Sequence, residues 1–460
     1  MIRPTRTARL VVMAAASALV LASCGSDEPS STPQAGNDTG ASSTTKAECE
    51  TKNPQAAQEV TPPDFPPDKP TPAEKPTPVP PKSGDGVLHI GSLLPTTGDL
   101  ASLGPPEIAG VETAVEDINA AGGVLGKPVK YLQKDSGDGT PSIAPGSVDQ
   151  LLSAKSDVVL GAASSSVSLS VIDKIISAGV TQFSPAATSA ELDTIEDKDM
   201  FFRTSPSDVL QGAVLSNAVV GDGHSNVAIL ARQDSYGEGL ASEVEKGIKA
   251  GGATVAAKVL YSADASNYTA EVTQIADSNP DAVVLIAFEE TTKIVPQLIA
   301  KNIGPADLQV YFTDGNINDY SKDFDKCTLY GVKATLPGAP TGDEFKKRLL
   351  KTDPKLPVFS YGPEAYDAAV LSALAAEQAG DDGGKSIASQ LTDVSRGGEK
   401  CTTFEECAAL IKKGTNIDYD GFSGPVEFNE TGSPSVATIG IYQFGADNTY
   451  HNISYSKGAI

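Results

Sequence analysis

The chain has 460 residues, of which 20% are charged and 40% hydrophobic, and its formal net charge is −24. So acidic a surface repels nucleic acid and offers it no basic footprint. Five cysteines and three histidines leave little material for a metal centre or a histidine-based catalytic set.

Residues 1–23 read as a lipoprotein signal peptide. Arg3, Arg6 and Arg9 make a positive start, and Leu10 to Leu21 is apolar apart from Ser17. That run is too short to span a bilayer, which takes about 20 apolar residues. It ends in Leu21-Ala22-Ser23-Cys24-Gly25, a segment that resembles a lipobox and implies acylation of Cys24. Removing the three arginines with the leader takes the formal charge from −24 to −27. Residues 24–83 are rich first in Ser, Thr, Gly and Asn and then in proline, a composition that cannot bury enough apolar surface to offset ordering. The expectation is a lipidated, disordered stalk. Beyond Cys24, four cysteines in an exported chain suggest two disulfides, for which three connectivities exist. Cys401 and Cys407, close in sequence, are expected to pair, leaving Cys49 with Cys327 to staple the stalk to the body.

The globular text opens with a buried strand at Val87 to Leu94 and a helix started by Pro105-Pro106, whose Ile108, Val111, Val115 and Ile118 fall at helical spacing. Strand Val158 to Leu160, a serine-rich turn and a helix carrying Val171, Ile172, Ile175 and Ile176 follow, then strand Val180 to Ser184. A second series runs through strands at 227–231, 254–260, 282–287 and 308–313, with helices at 239–250, 270–276 and 293–302. Such alternation predicts an α/β protein with parallel sheets between helices. About 375 residues exceed one ordinary core, so two lobes are expected. Ligands should sit beyond the carboxyl ends of the strands.

The loops after those strands carry recognisable phrases. They are Gly91-Ser92-Leu93-Leu94-Pro95-Thr96-Thr97-Gly98, Phe183-Ser184-Pro185-Ala186-Ala187-Thr188, Phe201-Phe202-Arg203-Thr204, Asp234-Ser235-Tyr236-Gly237-Glu238-Gly239 and Tyr361-Gly362-Pro363-Glu364-Ala365-Tyr366-Asp367-Ala368. Together they resemble the branched-chain amino acid (Leu/Ile/Val) binding proteins of ABC transporters, over about residues 86 to 450. The resemblance implies the type I periplasmic binding protein fold: two Rossmann-like lobes joined by a three-strand hinge. On this pattern lobe 1 covers about 84–206 and 336–417, and lobe 2 about 207–335 and 418–460.

The same resemblance implies a grip on both charged ends of an amino acid. Ser164 and Ser165 would meet the carboxylate, Ser165 being the closer match, and a helix start there suits an anion. Ala186 and Thr188 would meet the ammonium, Tyr236 would close over the ligand from the second lobe, and Asp314 would pair with the ammonium. The alignment slips by one residue between Phe288, which would pack on the ligand, and Glu289, which would add a negative group. Leu103 stands where the family often has an aromatic.

Asn416 to Glu427 nearly fits a calcium loop, but Asn at its first place and Pro425 with a strand-like continuation argue for a turn into a terminal hairpin. His89, His224 and His451 sit in no catalytic motif, and no nucleophile elbow or phosphate loop occurs. The sequence therefore reads as a binding protein, not an enzyme, with no cofactor and no metal. The expected partners are a small solute, ABC permease subunits and the membrane through the lipid. A ligand-sensing receptor of the same fold is the alternative.

Overall fold

Short apolar runs such as Val158-Val159-Leu160 and Ala282-Val283-Val284-Leu285-Ile286 are buried on both faces only when helices cover each side of a sheet. The computed structural model, which describes residues 49, 77–137 and 143–459, contains two such sheets. In the first, β1 (His89–Leu94), β2 (Lys130–Asp135), β3 (Val158–Gly161), β4 (Thr181–Ser184) and β5 (Phe201–Arg203) pair in the order β2-β1-β3-β4-β5, all parallel. Helices α1 (Gly104–Ala120), α2 (Ala144–Ser153) and α3 (Ser165–Ser177) make its crossovers.

The chain then enters the second lobe through α4 (Asp208–Gly221). There β6 (Asn226–Arg232), α5 (Ser235–Ala250), β7 (Thr254–Tyr261), α6 (Thr269–Asp277), β8 (Ala282–Ile286), α7 (Thr291–Ala300), β9 (Gln309–Phe312) and β10 (Lys333–Pro337) follow in turn. It returns to the first lobe for α8 (Asp343–Thr352), α9 (Gly362–Ala379), α10 (Gly384–Val394), β11 (Glu399–Cys401), α11 (Phe404–Ile411), β12 (Ile417–Gly421) and β13 (Gly424–Pro425). A last crossing brings β14 (Val436–Phe444) and β15 (Tyr450–Ala459) back to the second sheet, whose order is β15-β14-β10-β9-β8-β6-β7.

Two features differ from the sequence reading. The second sheet is mixed, because β14 pairs antiparallel with both β10 and β15. Strands joined by so short a turn as 445–449 have no room for the crossover that parallel pairing needs. The third crossing also comes later than residue 418. Tyr419, Val426 and Phe428 are buried in the first lobe's core, so the chain leaves that lobe only between Phe428 and Val436.

Helix α9 sits at the centre of the first lobe, with 16 of its 18 residues buried. A helix apolar on nearly every side belongs in an interior, and this one packs between α1 and α10. Contacts of the chain with the first lobe begin before residue 84. Thr77 N and Oγ1 donate to Asp393 (2.7 and 3.1 Å), and the N–H groups of Ser83 and Gly84 donate to Asp381. Those of Asp85 and Gly86 donate to Asp382. Both disulfides are present, Cys401–Cys407 within the first lobe and Cys49–Cys327 onto the second. The signal peptide, Cys24 and, Cys49 apart, the rest of the stalk up to residue 76 lie outside the described residues. Among the described residues no helix is long and apolar enough to cross a membrane.

Candidate functional site

The carboxyl ends of β3 and β4 in one lobe face those of β6, β8 and β9 in the other. After β3 the chain turns into α3, where Ser164 is the N-cap and its Oγ accepts from Val167 N at 3.5 Å. Ser164 and Ser165 are both buried. The Ser165 hydroxyl accepts from Ser189 N at 3.1 Å, which ties the start of α3 to the loop after β4. That loop, carrying Ala186 and Thr188, is held by Arg203 of the Phe-Phe-Arg-Thr phrase. The buried guanidinium donates to Ala187 O (3.2 Å) and Ser189 O (2.9 Å). A loop pinned this way presents its remaining polar groups in fixed directions.

Asp314 dominates the opposite wall. It is 4% exposed and its carboxylate accepts three hydrogen bonds. Tyr236 OH and Gln211 Nε2 reach Oδ1 at 2.7 and 2.8 Å, and Tyr361 OH reaches Oδ2 at 2.7 Å. Burial raises the Asp314 carboxyl above its ordinary range, and these donors pull it back towards ionisation. The turn following β9 is capped by Thr313 and Asn316, so the Asp314 side chain is not engaged in capping and faces the cleft. Beside it lies Asp208, fully buried on the first turn of α4, whose N–H donates to Thr188 O at 2.8 Å. Burial first, then the negative charge of Asp314, holds the Asp208 carboxyl well above the usual range. Two buried carboxylates in one place favour a cation between them.

Aromatic and aliphatic side chains fill the space between these polar ends. The Tyr236 ring stacks on Phe288 with centroids 5.4 Å apart, and the Arg232 guanidinium lies over the other ring at 3.6 Å. Gly315 is required under this stack, because a Cβ there would come within 2.7 Å of Phe288. Leu103 and Leu100 complete the apolar wall. The lobes are closed on each other, leaving a free volume of about 10 Å³, near the least that admits one water.

Ser164, Ser165, Ala186, Tyr236, Phe288, Asp314 and Leu103 are therefore brought together around one space; Thr188 stands behind them, next to Asp208. Glu289 does not join them. It is exposed, with its N–H donating to Asp99 O at 3.2 Å across the lobes. The one-residue slip resolves in favour of Phe288, because β8 ends at Ile286 and the turn sends alternate side chains inward. The carboxylate that does turn inward is Glu290, which is spent on Arg232 at 3.0 Å and on Tyr261 OH at 2.8 Å. Asp208, Gln211 and Tyr361 escaped the sequence reading. Tyr361 stood in a quoted phrase, and the following Gly-Pro was the available sign of an unusual backbone there.

Asp418 and Asp420 of the near-calcium loop share a lysine instead of a metal, with Lys400 Nζ at 3.2 and 3.0 Å. Among the described residues no cluster of three or more His, Cys, Asp or Glu side chains is arranged to hold a metal.

A family model described as periplasmic binding protein matches residues 87–448. The chain is 26% identical over 360 residues to the chemotactic signal transduction system substrate-binding protein BasB of Halobacterium salinarum, covering 75% of this chain and 84% of that one. It is 27% identical over 310 residues to the leucine-, isoleucine-, valine-, threonine-, and alanine-binding protein of Pseudomonas aeruginosa, covering 66% and 82%. Among solved structures, the branched-chain amino acid transporter substrate-binding protein LivJ of Streptococcus pneumoniae, in complex with isoleucine, superposes with a TM-score of 0.66. That match has 22% identity and covers 81% of this chain and all of the other.

Proposed function

The chain belongs to the periplasmic binding protein family, and from that membership we propose that it is the extracytoplasmic solute receptor of an ABC importer, binding a free amino acid between its lobes. One observation carries the reading: the Asp314 carboxylate and the serine-lined start of α3 bound the same small space. An α-ammonium would replace one of the donors to Asp314 and would favour ionisation of the nearby Asp208 carboxyl. The α-carboxylate would take the N–H groups and hydroxyls at Ser164 and Ser165. Leu100, Leu103 and Phe288 suit a branched aliphatic side chain or a related small amine or amide. The ligand would bridge both lobes, so its binding energy favours the closed form.

Titration calorimetry with the twenty amino acids, small amides and polyamines tests this. The expected result is saturable binding of one or a few aliphatic amino acids that requires both the ammonium and the carboxylate. Silence across the panel overturns it. The receptor is held at the outer membrane face by lipid on Cys24, so Cys24→Ala should move the protein from the membrane to the soluble fraction. Its partners are then the permease subunits. The similarity to BasB supports a second reading, a sensor that passes the same binding event to a signalling receptor. Cross-linking in ligand-loaded cells separates the two by whether a permease or a receptor is captured.

A further inference from the structure

A second cavity, of about 470 Å³, opens between the lobes on the far side of Tyr361. Tyr361 lines both spaces, with its hydroxyl on Asp314 in the cleft. The cavity's floor is the loop before α9, including Val358 and Phe359, and the first turn of that helix. Its other side is the β14–β15 hairpin, which contributes Tyr442, Tyr450 and Tyr455. Tyr442 and Tyr450 meet edge to face at 5.5 Å, giving that wall a rigid aromatic surface. At the inner end lies Glu364, 2% exposed, and no cation pairs with it among the described residues. Burial pushes its carboxyl up to about 8. Gly338 keeps the backbone clear of it: φ there is +105°, and a Cβ would sit 2.1 Å from Glu364 Oε1. The one lysine on the lining, Lys346, has Asp343 at 3.6 Å, and Asp319 adds a further negative group.

We propose that this cavity is a second ligand site, separate from the cleft, for a small organic cation with an apolar body of the arylalkylamine class. A buried carboxylate without a counter-ion gains a partner when an ammonium enters. Tyrosine faces attract the same charge and pack against an apolar body. The volume lies in the range of small-molecule pockets. An anionic ligand would be repelled by Asp319 and would oppose ionisation of Glu364, and a neutral one would leave the buried carboxyl as it is.

Calorimetry on the whole mature chain tests the site with phenethylamine as the probe and 2-phenylethanol as its uncharged counterpart. Phenethylamine should bind with a stoichiometry of one and 2-phenylethanol at least tenfold more weakly. Glu364→Gln should weaken phenethylamine tenfold or more, and so should Tyr450→Ala on the hairpin, which tests the same wall if the first variant fails to fold. Ser165→Ala, in the cleft, should leave phenethylamine binding unchanged. The proposal is overturned if the wild-type chain ignores phenethylamine, if the alcohol binds equally, or if Ser165→Ala abolishes binding while Tyr450→Ala does not. Because amino acid titration is a separate measurement on the same proteins, failure here leaves the cleft reading to stand or fall alone.

Discussion

Asp314 is the residue on which amino acid capture should turn. Its carboxylate collects donors from three elements, Gln211 on α4, Tyr236 on α5 and Tyr361 just before α9, so it is a knot between lobes and, in the proposed grip, would also be a ligand group. Removing one partner of a buried charge pair costs on the order of 2–5 kcal/mol. Asp314→Asn, nearly the same shape, should therefore weaken the cognate amino acid by about thirtyfold or more while the thermal unfolding profile keeps a single transition. Unchanged affinity in that variant would remove Asp314 from the grip. Sequence alone reached Asp314 through a family phrase, yet Asp208 and Gln211 stayed hidden. They lie on one helical face of α4, and nothing in a sequence says which face of a helix meets a cleft made by another lobe.

The buried carboxyls also set how stability depends on pH. Glu364 titrates at about 8 in the fold, against about 4.3 for an ordinary glutamate. Between those values the folded chain holds a proton that the unfolded chain has released. The stabilisation is complete below the ordinary range and is lost as pH rises towards about 8, at up to about 1.4 kcal/mol per pH unit. Burial shifts Glu107 and Asp208 in the same direction. Urea unfolding at pH 5, 6, 7 and 8 should show falling stability, and Glu364→Gln should make the fall shallower. A slope unaltered by that substitution would mean that Glu364 is ionised throughout.

At the scale of elements, strands β3 and β8 were legible because each is a short apolar run that only a covered sheet can hold, whereas β4 (Thr181–Ser184) is buried in spite of its polar side chains. The later first-lobe helices were less legible. Helix α9 is alanine-rich and buried on almost every side, so it has no amphipathic stripe to betray it. Strand β15, with residues such as Asn452, Ser454 and Ser456 on a partly exposed strand, gave no apolar run to follow. The Cys401–Cys407 bond ties β11 to α11 across 6 residues. So short a loop limits the unfolded-state entropy it removes, to about 2 kcal/mol. The double variant Cys401→Ser/Cys407→Ser should lose about that much in chemical denaturation while retaining amino acid binding, since neither residue lines the cleft.

For the whole molecule, closure is made by few polar contacts. Ser189 Oγ donates to Ser235 O at 3.1 Å, and Glu289 N donates to Asp99 O at 3.2 Å. A Cβ placed on Gly239 would lie 3.4 Å from Ser189 Oγ, so a cysteine at each position would meet only when the lobes are shut. In Ser189→Cys/Gly239→Cys, oxidation should form the cross-link faster when the cognate amino acid is present, read as a gel shift. Equal rates with and without ligand would show that binding does not drive closure. Two lobes were legible from length and alternation, but the late third crossing was not. Residues 417–428 look like any strand and turn until the first lobe's core claims Tyr419 and Phe428.

The Cys49–Cys327 bond has a mechanical consequence. Were Cys24 acylated as proposed, a pull on that lipid would reach the body first at Cys327, on the second lobe, before it could load Thr77 or the hinge. The second lobe would then be the fixed jaw and the first lobe the swinging one, with the leash counted from 24 to 49 and not from 24 to 77. Breaking that one bond would lengthen the leash and transfer the load to the opposite jaw.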